Sequence, residues 1–184
     1  TNSENTAVGY GAGNAITTGQ YNTFIGSASG DAVTDSDENV AVGYNSLSTN
    51  TLGNRNVAVG TGALATMNQT TATDSNNTAV GQAAGYAITT GINNVFIGMG
   101  AGDAQTTANQ NVAIGKDSMT TNVAGAKNVA VGAGTLANFN VTAADTYNTC
   151  VGDHAGSALT TGTYNTIIGA VAGDALTDAD YNVA

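Results

Sequence analysis

Residues 111–118 read Asn111-Val112-Ala113-Ile114-Gly115-Lys116-Asp117-Ser118. Val112 and Ile114 stand two apart, so on a strand they share a face and Ala113 points the other way. The opening of this stretch recurs along the whole chain as Asn, Thr or Val, an apolar residue, Val or Ile, and Gly. Its Asn falls at 5, 22, 39, 56, 77, 94, 111, 128, 148, 165 and 182, with spacings of 17, 17, 17, 21, 17, 17, 17, 20, 17 and 17. Self-similarity of this length at a near-constant period is the signature of a solenoid.

Each position of the repeat forms a column, named here by its residue in 111–127. The Val112 column holds only Thr and Val, and the Ile114 column only Val and Ile. Both are β-branched, as a strand prefers. Stacked at about 4.8 Å per turn, such columns make a rod roughly 50 Å long. The Gly115 column is unbroken, which predicts a corner with positive φ or a close backbone approach. The Ser118 column is always small and predicts a tight inner position. The Met119 column is Gly in some turns and Leu47, Leu64, Met119 or Leu136 in others. Where it is Gly, Ile16, Val33, Ile88, Leu159 or Leu176 follows three residues on, with Gln105 the exception. Two sites therefore trade volume to fill one interior. A helical solenoid fails on propensity, and disorder fails on the strict aliphatic columns. The expected fold is all-β, a parallel β-solenoid or β-roll of about ten 17-residue turns, forming one domain over 1–184. A longer period lies above it, in four-turn units at 5–76, 77–147 and a partial 148–184. The chain reads as a fragment of a longer fibre.

Composition narrows the functions. Thirteen acidic and three basic residues give a net charge of −10. Nucleic acid is a poor partner and an anionic membrane surface is disfavoured, because no cationic surface is available to meet phosphates; no nucleic acid and no membrane insertion are expected. No apolar run reaches the length of a membrane span, and no signal peptide is visible. Cys150 is the only cysteine, so an intrachain disulfide is impossible.

The Ala113 column reads Ala7, Phe24, Ala41, Ala58, Ala79, Phe96, Ala113, Ala130, Cys150, Ile167 and Ala184, without a charge. A strand apolar on both faces is buried on both. With the Val and Ile columns taken as the inside, this column is expected to meet other chains. Closed threefold symmetry then follows for a fibre, placing Ala7, Phe24, Phe96, Cys150 and Ile167 at a homotrimer interface.

Chemistry-bearing residues are sparse. His154 has no second His or thiolate to complete a zinc site. Cys150 has no evident base and reads as a small apolar residue. Asp31, Asp35 and Asp37 recur as Asp174, Asp178 and Asp180, an alternation that is a weak Ca²⁺ pattern and equally a solvated acidic edge. Thr pairs at 17–18, 89–90 and 160–161 raise an ice-binding face as a third function class, although such a face wants Thr in every turn. The Gly-rich stretches lack the strand–helix context and Lys of a phosphate loop. No catalytic set and no cofactor site is expected, so the chain is read as not an enzyme. The longer fourth turns, with extra residues near 67–76 and 139–147, are the expected protrusions. They carry Asn68, Thr70, Asp74, Asn140, Asp145 and Tyr147 as candidate contacts to a host receptor, glycan or protein. Phe139 either joins them or plugs the core.

The stretches 40–46 and 112–118, Val-Ala-Val-Gly-Tyr-Asn-Ser and Val-Ala-Ile-Gly-Lys-Asp-Ser, resemble the head repeat of trimeric autotransporter adhesins. That family has shorter turns than the 17 residues here. A closer likeness is to repeats of phage tail fibres, which run Asn-Thr-Ala-Val-Gly-Tyr-x-Ala, then Thr-Thr-Gly. Residues 5–19, 77–91 and 148–162 carry that pattern, with departures at Gln82, Cys150 and Asp153. The resemblance implies a self-associating, extracellular fibre segment, a rigid spacer in host attachment on a virion tail fibre. The alternative it implies is a trimeric adhesin head on the bacterial outer surface.

Overall fold

A computed structural model describes residues 3–142 and 144–184. The repeat folds as a single parallel β-solenoid. Ten three-residue strands form one sheet, from Thr6–Val8 through Thr23–Ile25, Val40–Val42 and onward to Thr166–Ile168. Every neighbouring pair is parallel and in register, so Val40 lies beside Thr23 and Val57, and Val112 beside Val95 and Val129. Two small sheets flank it. Gly53–Asn54 pairs with Thr73–Asp74, and Gly125–Ala126 pairs with Ala144–Asp145. In both, the end of a third turn meets the end of a longer fourth turn.

The recurrent Asn explains the stacking. Asn39 through Asn165 in that column are wholly buried. Asn94 shows the pattern. Its backbone N–H and its Nδ2 both donate to Asn77 Oδ1, at 2.9 and 3.1 Å, and its own Oδ1 accepts the Asn111 backbone N–H at 3.0 Å. Its Nδ2 also donates to the Ala108 carbonyl at 2.9 Å. One side chain therefore binds the turn before, the turn after, and the far end of its own turn. The bond from the backbone N–H to the preceding Oδ1 runs likewise through Asn22, Asn39, Asn56, Asn148, Asn165 and Asn182. A buried amide satisfied on all sides specifies one arrangement, and one deprived of partners is costly.

The corners are built from left-handed backbone. Each turn places three residues there, in the Asp117, Met119 and Lys127 columns: Ala83, Leu64 and Tyr164, for example, have φ of 55°, 50° and 57°. An L side chain in this region costs roughly 1–2 kcal/mol, which stacking on both neighbours must offset. The Gly115 column shows both expected reasons for glycine. Gly26 has φ of 134°, and a Cβ there would stand 2.5 Å from the Gly43 carbonyl oxygen.

The orientation of the sheet overturns the expectation from sequence. The Ala113 column points inward. Phe24, Ala41, Ala58, Ala79, Phe96, Ala113, Ala130, Cys150 and Ile167 are all at 0% exposure within one chain. The Val112 and Ile114 columns form the outer face and are half-buried to exposed. Phe24, Phe96, Cys150 and Ile167 therefore cannot line a trimer interface; Ala7, in the first turn, faces the same way but is exposed at the end of the stack. Alternation of period two is the same for either orientation, and packing decides it.

The volume trade has a third partner for this reason. A Cβ on Gly30 would come within 2.6 Å of the Phe24 ring, and one on Gly85 within 2.6 Å of Phe96. Phenylalanine in the Ala113 column thus demands Gly in the Met119 column, and Ala there admits Leu47, Leu64, Met119 or Leu136. Gln105, the exception, is a polar filler: buried, it accepts a hydrogen bond from Asn111 Nδ2 at 2.9 Å, while its Nε2 is buried without a partner among the described residues.

Two predictions follow from the interior. Asn94→Ala strands the Asn111 N–H and the Ala108 carbonyl, and urea unfolding should report a loss of about 3 kcal/mol; a change under about 0.5 kcal/mol would contradict the ladder's role. Gly30→Leu and Phe24→Ala should each destabilise, while the double variant, which recreates the Ala41–Leu47 arrangement, should recover part of the loss. The cycle should show a favourable coupling on the order of 1–3 kcal/mol, and simple additivity would contradict it.

Candidate interaction surfaces

Three surfaces have the makings of a binding site: the outer sheet face, the two long turns, and grooves beside the corners. The outer sheet face consists of the Val112 and Ile114 columns. Val8, Ile25, Val80, Ile97 and Ile168 are exposed, and the intervening members half-buried. No charged side chain interrupts either column. Ten strands at about 4.8 Å, each three residues wide, give an uncharged strip of roughly 430 Å², aliphatic in the Ile114 column and shared between Val and Thr in the Val112 column.

The long turns are anchored at both ends. Met67 and Phe139 start them and are wholly buried, so Phe139 is a core plug. At the far end, Arg55 reaches the Asp74 carboxylate and lies 3.2 Å from Glu38. Lys127 repeats this one unit later, with Nζ at 2.6 Å from Asp145 and 3.0 Å from the Tyr147 hydroxyl. The hydrogen bond to Glu38, with the Asp74 charge, raises the Arg55 pKa. Hydrogen bonds to Asp145 and then Tyr147 raise that of Lys127. Two of the chain's three basic residues are thus committed to pinning these turns. Asn68, Thr70, Asp74, Asn140, Asp145 and Tyr147 all lie at the surface. Tyr147 also begins a stack with Tyr164 and Tyr181, with ring centroids 5.1 and 5.0 Å apart. The cue for that stack was available in the sequence: the three tyrosines share the Lys127 column in consecutive turns.

Two of the acidic positions serve the backbone of the preceding turn. Asp37 Oδ1 accepts the Gln20 N–H at 2.7 Å, and Asp180 Oδ1 accepts the Thr163 N–H at 2.6 Å. Asp35 accepts the Thr18 hydroxyl, and Asp178 that of Thr177. Asp31 lines a small groove with Tyr10, Gly11, Asn14 and Ala28. Asp174 belongs to the second turn of its unit. Among the described residues, no group of three or more His, Cys, Asp or Glu side chains gathers where it could hold a metal ion. These aspartates do not form the Ca²⁺ cluster that their alternation raised. The hydroxyls of Thr17, Thr89 and Thr160 donate to carbonyls of the next turn.

His154 is exposed, with Nδ1 2.9 Å from Asp153 Oδ2, and its ring lies over Gly134. Cys150 is enclosed in the core, and burial pushes its thiol up to about 12. No helix among the described residues is long and apolar enough to cross a membrane. Comparison of the chain with protein-family models, with curated proteins and with solved structures returns no match.

The position of Cys150 gives a direct test. The native protein at pH 8 should resist a thiol reagent and react fully once unfolded, because the thiolate is the attacking form. Rapid stoichiometric labelling of the native chain would place the Ala113 column outside.

Proposed function

We propose that this chain is a stiff, non-catalytic segment of an extracellular attachment fibre that associates with two further copies of itself through the outer sheet face. The observation that carries the reading is the uncharged, β-branched strip running the length of the solenoid. A strip of roughly 430 Å² on each chain is of the size of the largest patch on a typical monomer, a size that is often functional. Three strips meeting in a trimer bury roughly 1,300 Å² in all, about 430 Å² for each pair of chains, so the columns flanking the strip must extend each contact to the size of a specific interface. An acidic chain that keeps charge off one long face has that face protected from repulsion against its own copies.

The spacer role rests on the same geometry. Each turn hydrogen-bonds only to its neighbours, so stiffness accumulates along one axis. The pinned turns then display Asn68 to Asp74 and Asn140 to Tyr147 at two heights on the rod, where weak contacts to a host receptor would add by multivalency. The repeat resemblance favours a phage tail fibre on the virion. The Val-Ala-Ile-Gly-Lys-Asp-Ser stretch at 112–118 favours the second reading, a trimeric adhesin head on a bacterial surface.

Light scattering on the purified chain should return three times the mass of one chain. Ile114→Lys with Val131→Lys places charge on the middle of the strip and should release monomers with unchanged β circular dichroism. A wild-type monomer, or a trimer indifferent to the two lysines, would contradict the proposal.

A further inference from the structure

One groove does not belong to the repeat. Tyr44 and Tyr86, 57% and 48% exposed, stand on either side of Gly62 and enclose about 300 Å³. The volume is at the small end of ligand sites. Gly62 has φ of 69° and forms a buried floor, where a Cβ would touch the Tyr86 ring at 3.5 Å.

Two observations separate this groove from the architecture. Tyr86 is the single aromatic in its column, where the other turns carry Asn14, Asp31, Ser48, Ala65, Asp103, Thr120, Ala137, Ser157 and Asp174. One four-turn unit later, Lys116, Gly134 and Ser157 replace Tyr44, Gly62 and Tyr86. There the His154 ring covers Gly134, so close that a Cβ would meet it at 2.9 Å. In the groove the residue corresponding to His154 is Ala83, and the Tyr86 ring instead lies against the buried Gly62.

The polar groups divide into spent and free. Ser48 and Thr49 donate to the Ala65 carbonyl, and Thr66 to the Tyr86 carbonyl. Among the described residues, no intrachain hydrogen bond engages the Tyr44 and Tyr86 hydroxyls, the Asn45 amide or the Thr61 hydroxyl. No charged side chain lines the groove. Ring faces carry negative quadrupoles that favour C–H groups, while free hydroxyls and an amide both donate and accept. A ligand matching this set has apolar C–H faces, a rim of hydroxyls and no charge.

We propose that the groove between Tyr44 and Tyr86 binds one or two rings of a neutral saccharide. Thr66, on its wall, leads directly into the long turn at 67–76, so the groove lies at the base of a surface already assigned to receptor contact. The proposal deepens that attachment reading and rests on it for its biological sense, but its chemistry does not require the trimer.

The test is an array of neutral, sialylated and sulfated oligosaccharides probed with the whole chain, followed by calorimetry with the strongest neutral binder. Tyr86→Ala removes a wall, and Gly62→Asn fills the floor with a residue that Asn45 shows to be compatible with this backbone, at φ of 53°. Both variants should lose affinity by about tenfold or more, with unchanged circular dichroism and oligomeric mass. Neutral binding that survives both variants, binding confined to acidic glycans, or no glycan binding at all would each overturn the assignment. The mass measurement reads failure of the fibre model separately.

Discussion

The buried asparagine column is the constraint on which the rest depends. A coil of short strands has few backbone bonds per turn and no bulky core of its own. The Asn side chains add bonds along the axis between successive turns, and Asn22, Asn77, Asn94, Asn111, Asn148 and Asn165 also bond across the turn to its far end. Their shape and position permit no other register, since a shift by one residue would bury a Thr or Val where an amide is needed. The long fourth turns show how far the constraint reaches. Asn77 still donates its N–H to Asn56 Oδ1 at 3.1 Å, and Asn148 to Asn128 Oδ1 at 3.0 Å, across insertions of three or four residues. At Asn128 the Thr146 hydroxyl also donates to that oxygen, at 2.8 Å, so the insertion supplies its own partner to the column.

With the turns held in register, the interior becomes a problem of volume. The Ala113, Met119 and Asn122 columns meet inside, and no turn enlarges the first two at once. Phe24 and Phe96 accompany Gly30 and Gly102; Leu47, Leu64, Met119 and Leu136 accompany alanines. The long turns enclose more space and place Met67 or Phe139 beside a Leu, both wholly buried. Length variation in the repeat is therefore tied to core filling as well as to surface display. Salt pairs at Arg55 and Lys127 close the same insertions from outside, where exposure makes them orienting contacts more than sources of stability.

Much of this was legible in the sequence. The period, the parallel stacking, the glycine corner, the small inner column and the volume trade all follow from residue columns alone. The facing of the sheet did not, because both sides of each strand are apolar and alternation is blind to which side is in. Two cues pointed the right way. Thr occupies the Val112 column at 6, 23, 78, 149 and 166, which suits a half-wet face. Phe in the Ala113 column coincides with Gly six residues later, which only a shared interior explains. The Asn ladder was visible as the strictest column but carried no bond until the turns were stacked. The left-handed corners were hidden where Leu, Tyr or Ala occupies them, since propensity alone assigns those residues elsewhere.

The central claim is that the asparagine column locks the stack. Native-state hydrogen exchange followed by NMR tests it most directly. The backbone amides of Asn39, Asn56, Asn77, Asn94, Asn111, Asn128 and Asn148 should exchange only through global opening of the chain, far more slowly than those of the exposed Thr70 and Thr71. Asn amides that exchange as fast as those in the loop would contradict it.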